Sequence, residues 1–218
     1  MTLEDQLHQL LQVHMLAVPK DRYSYARVIE LFGGVASETG EAWLIRCQHA
    51  PNPPAIMEQL SNTERALGFH LPESLHQFYQ LADGGRFFTV PALWLEPAFP
   101  DAEYSRYRIY STAELPIING NLLNQFQSNF GDDPDFQDIR SLNYIAFCDA
   151  HNGHHLVLLL EGQERGKVFL LDYEALARPY SERDADFYYA VADSLEDWLG
   201  RVIRTQGWDG FGEMMRAI

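Results

Sequence analysis

The stretch DAHNGHHLVLLLEGQERGKVFLLDYE, Asp149 to Glu174, sets His151, His154 and His155 beside carboxylates, the residue types of a metal centre or an acid-base pair. Successive residues of a strand point to opposite faces, so His154 and His155 cannot both ligate one ion if they open the strand HHLVLLL. His151 and His154 can meet across a turn. A closed zinc site then needs two more ligands, and only Asp149 and Glu161 are near in sequence. The competing reading is a polar hairpin turn, because Asp149, Asn152 and Gly153 tolerate tight backbone geometry and apolar runs flank them. That reading is preferred, and no metal or cofactor is expected. Cys148 and His151 have the residue types of a nucleophile and its base, yet a cysteine that ends an apolar strand is expected to be packing. Glu64 is a carboxylate on a helical stretch, where solvating the helix or capping the next glycine turn is the simpler role. No Walker loop, GxGxxG, GxSxG or HExxH is present. The chain is expected not to be an enzyme.

The elements that position these residues follow from periodicity. Leu3, Leu7, Leu10, Leu11, Met15 and Val18 fall on one helical face, with Thr2 at the N-cap position and Pro19 as a stop. Arg22 to Phe32 repeats the pattern before Gly33 and Gly34, while Glu41 to Cys47 fits helix or strand equally. PNPP, Pro51 to Pro54, removes backbone donors and marks the best boundary in the chain. A helical N-terminal extension is therefore expected over residues 1–50. Beyond it, Ile56, Leu60, Glu64 and Leu67 lie along a helix that Gly68 can end. Pro72 stands where a second helix would place its first residue, and Leu75, Phe78, Tyr79 and Ala82 bury that helix before Gly84 and Gly85. From Phe87 the composition becomes aromatic and branched, as in strands, and Pro91 argues for an edge or bulge. STAEL, from Ser111, has a capping serine with Glu114 three places on. Asn129 to Asp138 is an acidic loop. Asn143 to Cys148, His154 to Leu160 and Lys167 to Asp172 are strands, and Ser194 to Ile203 is a helix presenting Leu195, Trp198, Leu199 and Val202.

Composition narrows the function. Sixteen basic against thirty-one acidic residues give a net charge of −15, the wrong sign for contacts to nucleic acid or anionic lipid. A protein partner, basic if charge guides the choice, is the compatible one. No apolar run approaches the roughly 20 residues that span a bilayer, Glu4 and Asp5 stand where a signal peptide would be positive, and Cys47 and Cys148 form no CxxC. The expectation is a cytoplasmic protein that binds neither membrane nor nucleic acid.

Taken in order, LSNTERALGFHLPESLHQFYQLADGG, RIYSTAELP, NYIAFCDAHNGHHLVLLL, GKVFLLDYE and DSLEDWLGRVI resemble the SUKH superfamily. The likeness rests on Glu64, Leu67, Gly68, Leu71, Pro72, Phe78, Gly84 and Gly85, followed by the hairpin that holds Gly153. It covers about residues 55–203 and leaves both the 1–50 extension and a 204–218 tail unaccounted for. Asp83 departs from the asparagine usual before the glycines, and the turn after Asp149 carries histidines where glycine is common. The resemblance implies an α+β fold: helices on one face of a mainly antiparallel twisted sheet, here with the N-terminal helical extension added. It also implies a non-catalytic binding module, most simply a bacterial immunity protein that neutralises a cognate toxin such as a basic nuclease. The alternative is a regulatory adaptor like the fungal cell-wall-synthesis regulators, docking through residues 1–50. Asp132, Asp133, Asp135 and Asp138 surround Phe136 in the acidic loop, an aromatic anchor in a charged rim, and are the candidate partner-binding residues.

Overall fold

Thr2 and Asp5 exchange side-chain and backbone hydrogen bonds at 2.9 and 3.1 Å, a capping box that opens helix α1, Leu3–Leu11. Its apolar face, Leu3, Leu7 and Leu10, is buried. The computed structural model describes residues 2–19, 35–38, 42–91, 103–130, 143–150, 154–171 and 188–207. Within these, the helical pattern read as far as Val18 stops at Leu11, and Met15–Pro19 is a strand, β1. The reason lies far along the chain: Ala42–Arg46 forms β3 and pairs antiparallel with β1, matching Leu16 to Ile45 in one buried cross-strand pair. A short strand, Val35–Ala36 (β2), completes this three-stranded sheet in the order β1-β3-β2. The 1–50 segment is thus helical only over α1 among the described residues. The helix expected at Arg22 to Phe32 lies outside them.

After Cys47 the chain passes directly into β4, Gln48–Pro51, which belongs to the larger sheet. Pro51 is the last residue of this end strand, where a missing N–H is tolerated. Two helices follow, α2 (Met57–Leu67) and α3 (Glu73–Leu81), then β5 (Gly85–Pro91), β6 (Glu103–Ile109), α4 (Leu115–Phe130), β7 (Tyr144–Asp149), β8 (His155–Leu159), β9 (Val168–Leu171), β10 (Tyr188–Ala192) and α5 (Leu195–Arg204). The seven strands are antiparallel in the order β10-β9-β8-β7-β6-β5-β4, so the fold is α+β with an N-terminal helix. Pro91 closes β5 beyond Thr89, the last of its residues in register with β4, so its missing N–H costs that pairing nothing and β5 need not be an edge strand. Strand β10 has no counterpart in the sequence reading. Helix α4 reaches Phe130, so the first two residues assigned to the acidic loop are helical.

The runs IAFC, LVLL and VFLL are buried at successive positions in β7, β8 and β9. Because alternate side chains point to opposite faces, both faces of these strands are covered. One face meets α5, whose Trp198 sits edge-on between Tyr107 and Phe147 at ring separations of 5.4 and 5.5 Å. Ser194 caps α5 by accepting from the Asp197 N–H at 3.0 Å. Helix α1 packs on α5 and α3, and the Gln6 amide donates to the Glu196 carbonyl at 2.9 Å. Leu3, Leu10 and Leu16 therefore share one core with Leu60, Phe78 and Leu199. Among the described residues no helix is long and apolar enough to cross a membrane.

Candidate interaction groove

Glu64 leaves α2 pointing at the next turn rather than at a reaction centre. Its Oε1 accepts the Leu71 N–H at 2.9 Å and its Oε2 lies 3.1 Å from His70 Nδ1. Partial burial raises its pKa, but these two hydrogen bonds outweigh that and hold it below the usual carboxylate value. Gly68 ends α2 in the left-handed conformation, at φ 81°, and donates its N–H to the Glu64 carbonyl. Leu71 is buried, Leu67 half-buried, and Pro72 is the N-cap of α3, one place before its expected position. Phe78 is core. These motif residues build the helix pair.

Gly84 and Gly85 belong to a junction that the motif only hints at. A Cβ on Gly84 would sit 2.5 Å from the Ile109 carbonyl oxygen, and one on Gly85 would sit 2.5 Å from the Ala50 carbonyl oxygen. Side-chain-free backbone at both positions lets β4, β5 and the end of β6 close together. Asp83 locks the junction. Its two carboxylate oxygens accept the Thr112 N–H at 2.7 Å and the Thr112 hydroxyl at 3.2 Å, while its carbonyl accepts the Asn52 amide at 2.7 Å. An asparagine would offer only one acceptor oxygen to Thr112, which gives the departure from the usual residue a physical role. Thr63 adds a bond from α2, donating to the Thr112 carbonyl at 2.9 Å.

Beside this junction lies a groove of about 350 Å³ bordered by Gln48, Asn52, Arg86, Thr89, Arg108 and Glu114. Arg86 and Arg108 are directly opposite in the β5–β6 register. Glu114 pairs with Arg108 and also accepts from the Ser111 N–H and hydroxyl, both at 2.9 Å. Burial raises the Glu114 pKa, but the Ser111 bonds and Arg108 more than reverse this. The serine-glutamate signal in STAEL was legible as a helix start. Its second use, anchoring an arginine at the groove, needs the sheet register and was not.

The histidine-rich turn resolves in part. His155 opens β8 opposite Asp149, and its Nδ1 lies 2.8 Å from the Tyr110 hydroxyl. Burial lowers its pKa to about 4, against a smaller opposing pull from Asp149. His154 is half-buried just before the strand. His151, Asn152 and Gly153 lie outside the described residues, and among the described residues no three His, Cys, Asp or Glu side chains gather to hold a metal. Cys148 is fully buried and burial pushes its thiol pKa well up, so it is a protonated packing residue rather than a nucleophile. Trp198 is core; the candidate partner-binding residues Asp132, Asp133, Asp135, Phe136 and Asp138 lie outside the described residues.

Helices over an antiparallel sheet, a capped helix pair and a glycine-tightened junction define the described α+β scaffold. The chain belongs to the SMI1 / KNR4 family (SUKH-1), whose model matches residues 54–201. No curated protein matches it. Proteins of this family are in general non-enzymatic immunity or regulator modules that act by binding other proteins.

Proposed function

We propose that this protein is a cytoplasmic immunity protein that binds and neutralises a cognate bacterial toxin domain of basic, nuclease-like character. The observation that carries the reading is a net charge of −15 on a chain of this family. An acidic inhibitor speeds encounter with a basic partner and competes for the surface that the partner offers to nucleic acid. The alternative is an adaptor that docks through residues 1–50; within that segment the apolar face of α1 is already packed on α5 and α3, which speaks against that helix as the docking surface.

The test uses the terminal domain of a secreted toxin encoded beside this gene. Co-expression is expected to restore growth of cells producing that domain, and the purified pair to form a stable complex; absence of both protection and complex removes the immunity reading. If the acidic loop meets the toxin, changing Asp132, Asp133, Asp135 and Asp138 to Asn slows association and flattens its salt dependence. Phe136→Ala instead raises the dissociation rate. Unchanged rates in both variants exclude the loop from the interface.

A further inference from the structure

We infer that the outward face of α4 is a self-association surface, through which two copies of this chain meet as a weak antiparallel dimer crossing at Gly120. Helix α4 carries no charged side chain along its 16 residues, whereas α1, α2, α3 and α5 each carry at least one acidic residue. Its inward side is spent on the core: Leu115 and Leu122 are buried, and Asn119 bonds to Ala146 of β7. On the other side Ile117, Gly120, Asn121 and Asn124 follow one another at the three- and four-residue steps of a single helical face, all exposed, with Leu123 beside them. Ile117 is 62% and Leu123 47% exposed, so this helix offers apolar side chains to solvent as well as to the core.

Gly120 is the residue that packing within the chain does not account for. Glycine weakens a helix interior relative to alanine and is of use there where another backbone comes close. Here the backbone is helical rather than left-handed, and a Cβ would meet nothing within 4 Å, so alanine would fit. A second helix crossing at this point gives the glycine a purpose. Charge selects the occupant. Each copy carries −15, so two copies repel, and a face without charge lets them touch without setting like charges together. A basic partner has the opposite need, since an uncharged face gives it nothing to pair with. The antiparallel arrangement sends the two C-termini of α4, each followed in sequence by the aspartates of 132–138, about 30 Å apart, well beyond a screening length of roughly 8 Å. A face about 24 Å long and about 10 Å wide falls short of the roughly 800 Å² per partner of a standard interface, which is why the dimer is weak. No toxin contact enters this inference, so it does not rest on the immunity reading.

The experiment is sedimentation equilibrium of the full chain at loading concentrations from about 10 μM to about 1 mM. A monomer–dimer equilibrium is expected, and added salt should tighten it by screening the repulsion between the two copies. Ile117→Lys lowers the net repulsion yet puts a charge into the contact, and should weaken association about ten-fold or more. Gly120→Ala should raise the melting temperature and still weaken association, two effects of opposite sign that a glycine with no partner would not give. A chain that is monomeric at every concentration overturns the inference; loss of toxin binding in Ile117→Lys would then give the face to that partner instead. A dimer that salt weakens, or that neither substitution moves, equally overturns it, because its contact lies elsewhere.

Discussion

Replacing Gly84 by alanine separates two costs that glycines usually combine, because Gly68 offers a control at nearly the same backbone angle. Gly84 has φ 71° and Gly68 has φ 81°, so alanine at either pays a left-handed strain of about 1–2 kcal/mol. The surroundings differ. A Cβ at Gly68 meets nothing within 4 Å, whereas one at Gly84 would sit 2.5 Å from the Ile109 oxygen, 2.6 Å from the Tyr110 oxygen and 2.7 Å from the Tyr110 carbonyl carbon. All three are backbone atoms, so the end of β6 must move. That movement strains the 2.9 Å bond from the Tyr110 N–H to the Phe147 carbonyl and the 3.0 Å bond from the Asn52 N–H to the Gly84 carbonyl. Losing both, at about 1–1.5 kcal/mol each, adds about 2–3 kcal/mol. Gly84→Ala should therefore cost about 3–5 kcal/mol, near 6–20 °C in melting temperature for a chain of this length, and Gly68→Ala about 1–2 kcal/mol. Urea unfolding followed by tryptophan fluorescence measures both, since Trp198 is buried against Tyr107 and Phe147. Equal destabilisation by the two substitutions refutes the close approach at Gly84.

Leu158→Asp places a charge in β8 between Ile145 and Val168, where all three side chains are fully buried. It should cost about 3–5 kcal/mol or prevent folding, and an unchanged melting temperature would mean that the strand is not core. His155 should make stability depend on pH. Burial lowers its folded-state pKa to about 4 from 6.5, so between these values the unfolded chain binds a proton that the folded chain does not. Stability then falls as pH drops from about 6.5 to about 4, by at most about 3 kcal/mol. Glu64 and Glu114, with lowered folded-state values, contribute stability that is present above the ordinary carboxylate value of 4.5 and is lost as pH falls through their folded values. Unfolding midpoints from pH 7 to pH 5 therefore leave out the carboxylates and report His155 together with His49, whose folded-state value burial also lowers, so His155→Gln should reduce that slope without abolishing it; an unaltered slope would show that His155 does not titrate on unfolding.

What the sequence determined by itself is what local chemistry can determine. Thr2 and Ser194 cap α1 and α5, Gly68 stops α2, and the unbroken apolar runs of β7, β8 and β9 are core strands, each signal lying within a few residues of the structure it specifies. The ordered series of motifs from Glu64 to Gly85 carried the family, and the charge motivates the proposal of a basic partner. Tertiary structure decided the rest. The segment after α1 became a strand because β3 supplied an antiparallel partner for it, overriding a helical spacing. Where β6 leaves β7, the Asn119 side chain takes over, accepting the Ala146 N–H at 2.8 Å and donating to the Ala146 carbonyl at 3.0 Å. The pairing of Arg86 with Arg108 and the carboxylate beside them exist only in the register of β5 and β6. Register is set by long-range burial and backbone pairing along whole strands, so no window of sequence around either arginine contains it.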